Sequence, residues 1–65
     1  MVKFPDVEVE LIGHDGNAFV VLGRVMKALR RAGVSKEDRD MYREEATSGD
    51  YNNLLAVTMA TVSVA

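Results

Sequence analysis

Sixty-five residues, 48% hydrophobic, with no cysteine and a net charge of −2, describe one small domain. A chain this short buries only about 60% of the surface it exposes when unfolded, so it draws on a disulfide, a metal or a partner for its stability margin. The lack of cysteine excludes disulfides and thiolate zinc sites, and one histidine cannot build a multi-histidine metal centre, which leaves association, with a homodimer as the expectation.

The first segment, MVKFPDVEVEL, is charged and lacks the apolar core of a signal peptide. Val7, Val9 and Leu11 alternate with Glu8 and Glu10, which predicts a strand over 7–12 with one wet face, entered just after Pro5. Gly13-His14-Asp15-Gly16 then turns the chain, and Asn17 stands where it caps a helix.

That helix is predicted over 18–32. Phe19, Leu22, Met26 and Leu29 fall at helical spacing, widened by Val21, Val25 and Ala28, and Gly33 ends it behind Arg30 and Arg31. Gly23 interrupts it at a cost of roughly 1 kcal/mol against alanine, tolerable where the third helix or a second subunit comes close. Ser35 opens a second helix, with Asp38 three residues on. Gly49 stops it, and Met41, Tyr42 and Ala46 are its thin apolar set. Asp50 caps a third, with Tyr51, Leu54, Leu55, Met59 and Val62 as its apolar series. Met26, Met41 and Met59 read as core filler.

The end of the chain admits two readings, because VTMATVSV is rich in β-branched residues. Helix to about residue 60 followed by a short strand that pairs with 7–12 is favoured over a strand through all of 55–64. The order β-α-α-α-β makes an α+β domain over 1–65, two short strands packed against three helices. A two-stranded pair is marginal alone, and two copies joined through their strands would give a four-stranded sheet.

Charge is segregated along the chain. Residues 1–17 carry a net −3, residues 18–33 a net +4 with no acid, residues 34–50 a net −3, and residues 51–65 no charge. A mildly acidic total opposes bulk nucleic-acid affinity. Arg24, Lys27 and Arg31 nevertheless form one stripe at i, i+3 and i+7 that suits a phosphate backbone. No aromatic accompanies it for stacking, and pairing with the acidic second helix explains the stripe without a ligand.

The turn Gly13, His14, Asp15, Gly16 and Asn17 is the other candidate binding site. Strand, glycine turn and helix start together resemble a phosphate cradle, but no phosphate-loop or dinucleotide spacing is present and Asp15 would repel an anion. Asp15 is the sequence neighbour of His14, which does not by itself aim a carboxylate at the ring, and with no cysteine and few placed hydroxyls nearby an exposed turn histidine is expected. Glu37, Glu44 and Glu45 lie on a solvated helix with nothing to split their titrations, so paired-carboxylate chemistry is not expected. No cofactor, metal or catalytic residue is expected.

The segments VEVELIGHDGNAF, LGRVMKALRRAGV and EATSGDYNNLL, spanning about residues 7–64, resemble a family of short proteins of uncharacterised function encoded in bacterial and bacteriophage genomes. Gly13, Asp15-Gly16-Asn17, Phe19, Gly23, Ala28-Leu29 and Ser48-Gly49-Asp50-Tyr51 carry the resemblance. It implies a mobile-element origin and action by binding a host component, and it transfers no catalytic residue.

The expectation is therefore a cytoplasmic, non-enzymatic interaction module, homodimeric, that binds a host protein or a small ligand. No apolar run approaches the roughly 18 residues of a membrane span. The alternative is a nucleic-acid-binding accessory protein using Arg24, Lys27 and Arg31.

Overall fold

A computed structural model describes residues 2–10 and 17–64. Strand β1 (Phe4–Val9) is followed by helices α1 (Ala18–Arg31), α2 (Lys36–Ala46) and α3 (Tyr51–Thr61), and then by strand β2 (Val62–Val64). This is the expected β-α-α-α-β order and α+β class. The two strands form a parallel sheet. Parallel neighbours need a long crossover, and the three helices supply it.

The strand starts earlier than its alternation suggests. Pro5 lies inside β1 rather than before it, and Leu11 and Ile12 fall outside the described residues. The register runs Phe4 with Val62, Glu8 with Ser63 and Val9 with Val64, so Pro5, Asp6 and Val7 bulge out of the ladder. Proline has no N–H to give a ladder, which makes a bulge its natural place. The bulge is tied down by Ser63 Oγ, which donates to the Pro5 carbonyl at 2.8 Å. Val7 and Val9 are buried while Asp6, Glu8 and Glu10 are exposed, giving the wet face that the alternation predicts.

Each helix is bounded by side-chain chemistry. Ser35 Oγ accepts the Asp38 N–H at 3.2 Å and Asp50 Oδ1 accepts the Asn53 N–H at 2.9 Å, as capping residues do. Behind α1, Gly33 takes φ +82°, its N–H donates to the Arg30 carbonyl, and the Val34 N–H donates to the Leu29 carbonyl. That left-handed step is one only glycine takes without strain.

The core joins Val7 and Val9 with Val21, Val25 and Leu29, Tyr42 and Ala46, Leu54 and Val62. Its centre on α1 is the i, i+4, i+8 series Val21–Val25–Leu29. Leu22, Met26 and Ala28 flank it, partly buried. Three expectations are corrected here. Phe19 is 84% exposed, Met41 48% and Met59 61%, so none of them fills the core. In α3 the buried positions beside Leu54 are Thr58 and Thr61 instead. Thr58 meets the Tyr42 hydroxyl at 2.7 Å and Thr61 Oγ1 donates to the Val57 carbonyl at 2.7 Å, which removes the cost of burying either hydroxyl.

Helix α3 runs without a loop into β2. Val62 is both its C-cap and the first residue of the strand, at φ −130° and ψ 165°. The reading of 55–64 as one strand is thereby excluded. Among the described residues, no helix is long and apolar enough to cross a membrane.

Candidate functional site

Of the turn Gly13-His14-Asp15-Gly16-Asn17, the first four residues lie outside those described. Asn17 has the capping role expected of it. Its Oδ1 accepts the Phe19 N–H at 2.9 Å and the Val20 N–H at 3.4 Å, with φ −78° and ψ 111°. Two donors of the first turn are thus already engaged, which lessens what this helix start offers an anion.

The basic stripe lines one wall of an open groove of about 750 Å³. Arg24, Lys27 and Arg31 stand on the α1 side, and Asp6, Glu8 and Glu10 of β1 on the other. Arg24 Nη1 donates to the Glu10 carbonyl at 3.5 Å. The acids that share this groove with the stripe belong to β1, though among the described residues no ion pair joins α1 to β1. Among the described residues no ion pair joins α1 to α2, and the Lys36–Asp40 pair at 3.3 Å stays within α2. A polyanion drawn to the three cations meets three carboxylates in the same groove, so the groove is balanced rather than basic.

A second recess lies at the start of α1, and no expectation pointed to it. It has a volume of about 200 Å³ and is walled by Leu22 of α1, Ala46 of α2, and Tyr51 and Leu54 of α3, with Phe19 at its rim. The α2–α3 turn shapes it. A Cβ on Gly49 would sit 2.9 Å from Asn53 Cβ, so glycine lets Asn53 fold against the turn. Asn53 Nδ2 then donates to the Glu45 carbonyl at 2.9 Å, Ser48 Oγ to the same carbonyl at 2.7 Å, and Thr47 Oγ1 to the Arg43 carbonyl at 2.7 Å. These side chains find their acceptors in backbone carbonyls of α2, which leaves a mostly apolar wall. Phe19 and Val20 stand exposed beside it.

Gly23 lies one turn beyond Phe19 on α1. It is exposed, and among the described residues an added Cβ would meet nothing within 4 Å. The close approach of α3 that would justify a mid-helix glycine is therefore absent, and that expectation is corrected.

No set of three or more His, Cys, Asp or Glu side chains that could hold a metal ion occurs among the described residues. Burial pushes the Tyr42 phenol above its ordinary range, opposed in part by the hydrogen bond to Thr58. That group lies in the core, away from both recesses.

Compared with family models, with curated proteins and with solved structures, the chain finds no match in any of the three.

Proposed function

We propose that this chain is a non-catalytic interaction module of the cytoplasm, of the bacterial or phage kind its sequence resembles, and that its working surface is the apolar recess at the start of α1. The observation that carries the reading is Phe19, a large aromatic side chain 84% exposed at the rim of a recess with apolar walls. Leaving such a ring in water forgoes roughly 1.5–3 kcal/mol of burial, in a domain with little stability to spare. Exposed aromatic anchors beside apolar pockets are the usual carriers of binding energy at protein interfaces.

The recess takes an apolar or aromatic side chain. A cavity of roughly 150 Å³ already admits a benzene ring, so about 200 Å³ accommodates a phenyl group. The test uses the Phe19→Ala variant, which removes the rim ring without touching the core, titrated with N-acetylphenylalaninamide. Shifts of the Leu22 and Leu54 methyl resonances support the reading. Shifts confined to Arg24, Lys27 and β1, or no shifts at all, overturn it.

The nucleic-acid reading rests on the exposure of Arg24, Lys27 and Arg31 along one wall of the larger groove. It stands second because Asp6, Glu8 and Glu10 share that groove.

A further inference from the structure

We infer that the occupant of the recess is a second copy of this chain, held by reciprocal exchange of Phe19 between two antiparallel α1 helices. The inference rests on the reading of the recess as an interaction site and names its partner.

Ring and recess belong to the same face. Phe19 stands at the rim of the pocket walled by Leu22, Tyr51 and Leu54 of its own chain. A two-fold axis beside that rim brings each ring to the other copy's pocket, which is the self-complementarity a closed dimer requires. Each copy then buries the aromatic surface that its own fold leaves in water.

Gly23 supports the same geometry. It costs the isolated helix roughly 1 kcal/mol, and among the described residues no atom lies within 4 Å of where its Cβ would be to justify it. One turn from Phe19, it lets the backbone of a crossing helix come close.

Charge sets the direction. Residues 18–33 carry Arg24, Lys27, Arg30 and Arg31 and no acid, so two parallel α1 helices would stack like charges. An antiparallel crossing near residue 21 leaves each Arg30 about 13 Å beyond the crossing point, at 1.5 Å per residue. It also sends the basic half of each helix past the end of its partner that holds the recess, where Asp50 lies at the pocket.

The strand-joined dimer expected from the sequence is the weaker arrangement. Two β1 strands paired antiparallel about Glu8 would set Glu8 against its own copy and Asp6 against Glu10, and like charges across a ladder are destabilising. Pro5 removes one ladder donor besides. A contact built on one ring and a recess of about 200 Å³ belongs with interfaces burying below about 1,200 Å² in total, whose equilibria are weak and open to dilution.

Sedimentation equilibrium of the full chain across micromolar concentrations tests this, with Phe19→Ala and Gly23→Leu beside the parent. The expected result is a monomer–dimer equilibrium in the parent, weakened about tenfold or more in both variants, while their helical circular dichroism is retained. A parent that stays monomeric at high micromolar concentration overturns the inference. So does a dimer that Phe19→Ala leaves unchanged, which would assign association to the strand edges. If the parent is monomeric while N-acetylphenylalaninamide still shifts Leu22 and Leu54 in the Phe19→Ala variant, the recess serves a foreign side chain and only the second copy is lost. If both fail, the interaction reading falls as well.

Discussion

The hydroxyls of Tyr42 and Thr58 lie 2.7 Å apart in the interior and join α2 to α3. Helix α2 has only Tyr42 and Ala46 buried, so this contact carries much of its attachment. Each hydroxyl is the other's partner, and removing one leaves its mate buried and unpaired. Tyr42→Phe and Thr58→Val are each expected to cost about 1–3 kcal/mol in urea unfolding. The double variant is expected to cost less than the sum, because no orphaned hydroxyl remains. Additive costs would show that the two groups do not depend on each other.

The same burial gives a pH limit. The Tyr42 phenol is raised in the folded state, so above its ordinary value near 10 the unfolded chain loses the proton first. Its contribution is therefore whole below about pH 10 and declines as pH climbs toward the raised folded value. Thermal unfolding followed from neutral pH upward is expected to show this alkaline loss, and Tyr42→Phe to flatten it. An alkaline limb of the same depth in the variant would assign the loss to other groups.

Two glycines of the α1 region are expected to respond with opposite sign. Gly33 holds φ +82°, so Gly33→Ala forces a left-handed alanine at a cost of roughly 1–2 kcal/mol. Gly23 is helical and open, so Gly23→Ala is expected to stabilise the monomer by up to about 1 kcal/mol. Chemical denaturation at concentrations low enough to hold the chain monomeric measures both. A destabilising Gly23→Ala would reveal a neighbour inside the chain.

Replacing Arg24, Lys27 and Arg31 together with alanine is expected to change stability little, since exposed charge contacts contribute about 0–1 kcal/mol each. Fluorescence anisotropy of a labelled short duplex is expected to show no binding by the parent at low salt. Binding that falls steeply with salt and disappears in the triple variant would restore the nucleic-acid reading.

Much of this fold is legible in the residues. Asn17, Ser35 and Asp50 announce three helix starts, and Gly33 announces one end, because capping is a local chemistry. The misplaced details depend on tertiary neighbours. Val57, Thr58 and Thr61 suit a strand by propensity, and the favoured reading of helix to about residue 60 followed by a short strand holds. The burial of Thr58 against Tyr42 on another helix, however, is not written in the local residues. Phe19 shares a helical face with Leu22 and Met26, but it lies in the first turn of α1, outside the part covered by the core. Periodicity reports which face a residue shares and not how far along that face the core extends. Likewise the charge blocks reveal that α1 is basic, while which acids share a groove with its stripe, those of β1, follows only from packing.

The most direct test of the central claim is an isotope-filtered nuclear Overhauser measurement on an equal mixture of labelled and unlabelled chains. With one copy ¹³C-labelled at its methyl groups and the other unlabelled, contacts are expected from the unlabelled Phe19 ring to the labelled Leu22 and Leu54 methyls. Intermolecular contacts found instead between β1 residues, or none at concentrations where the chain is dimeric, would contradict it.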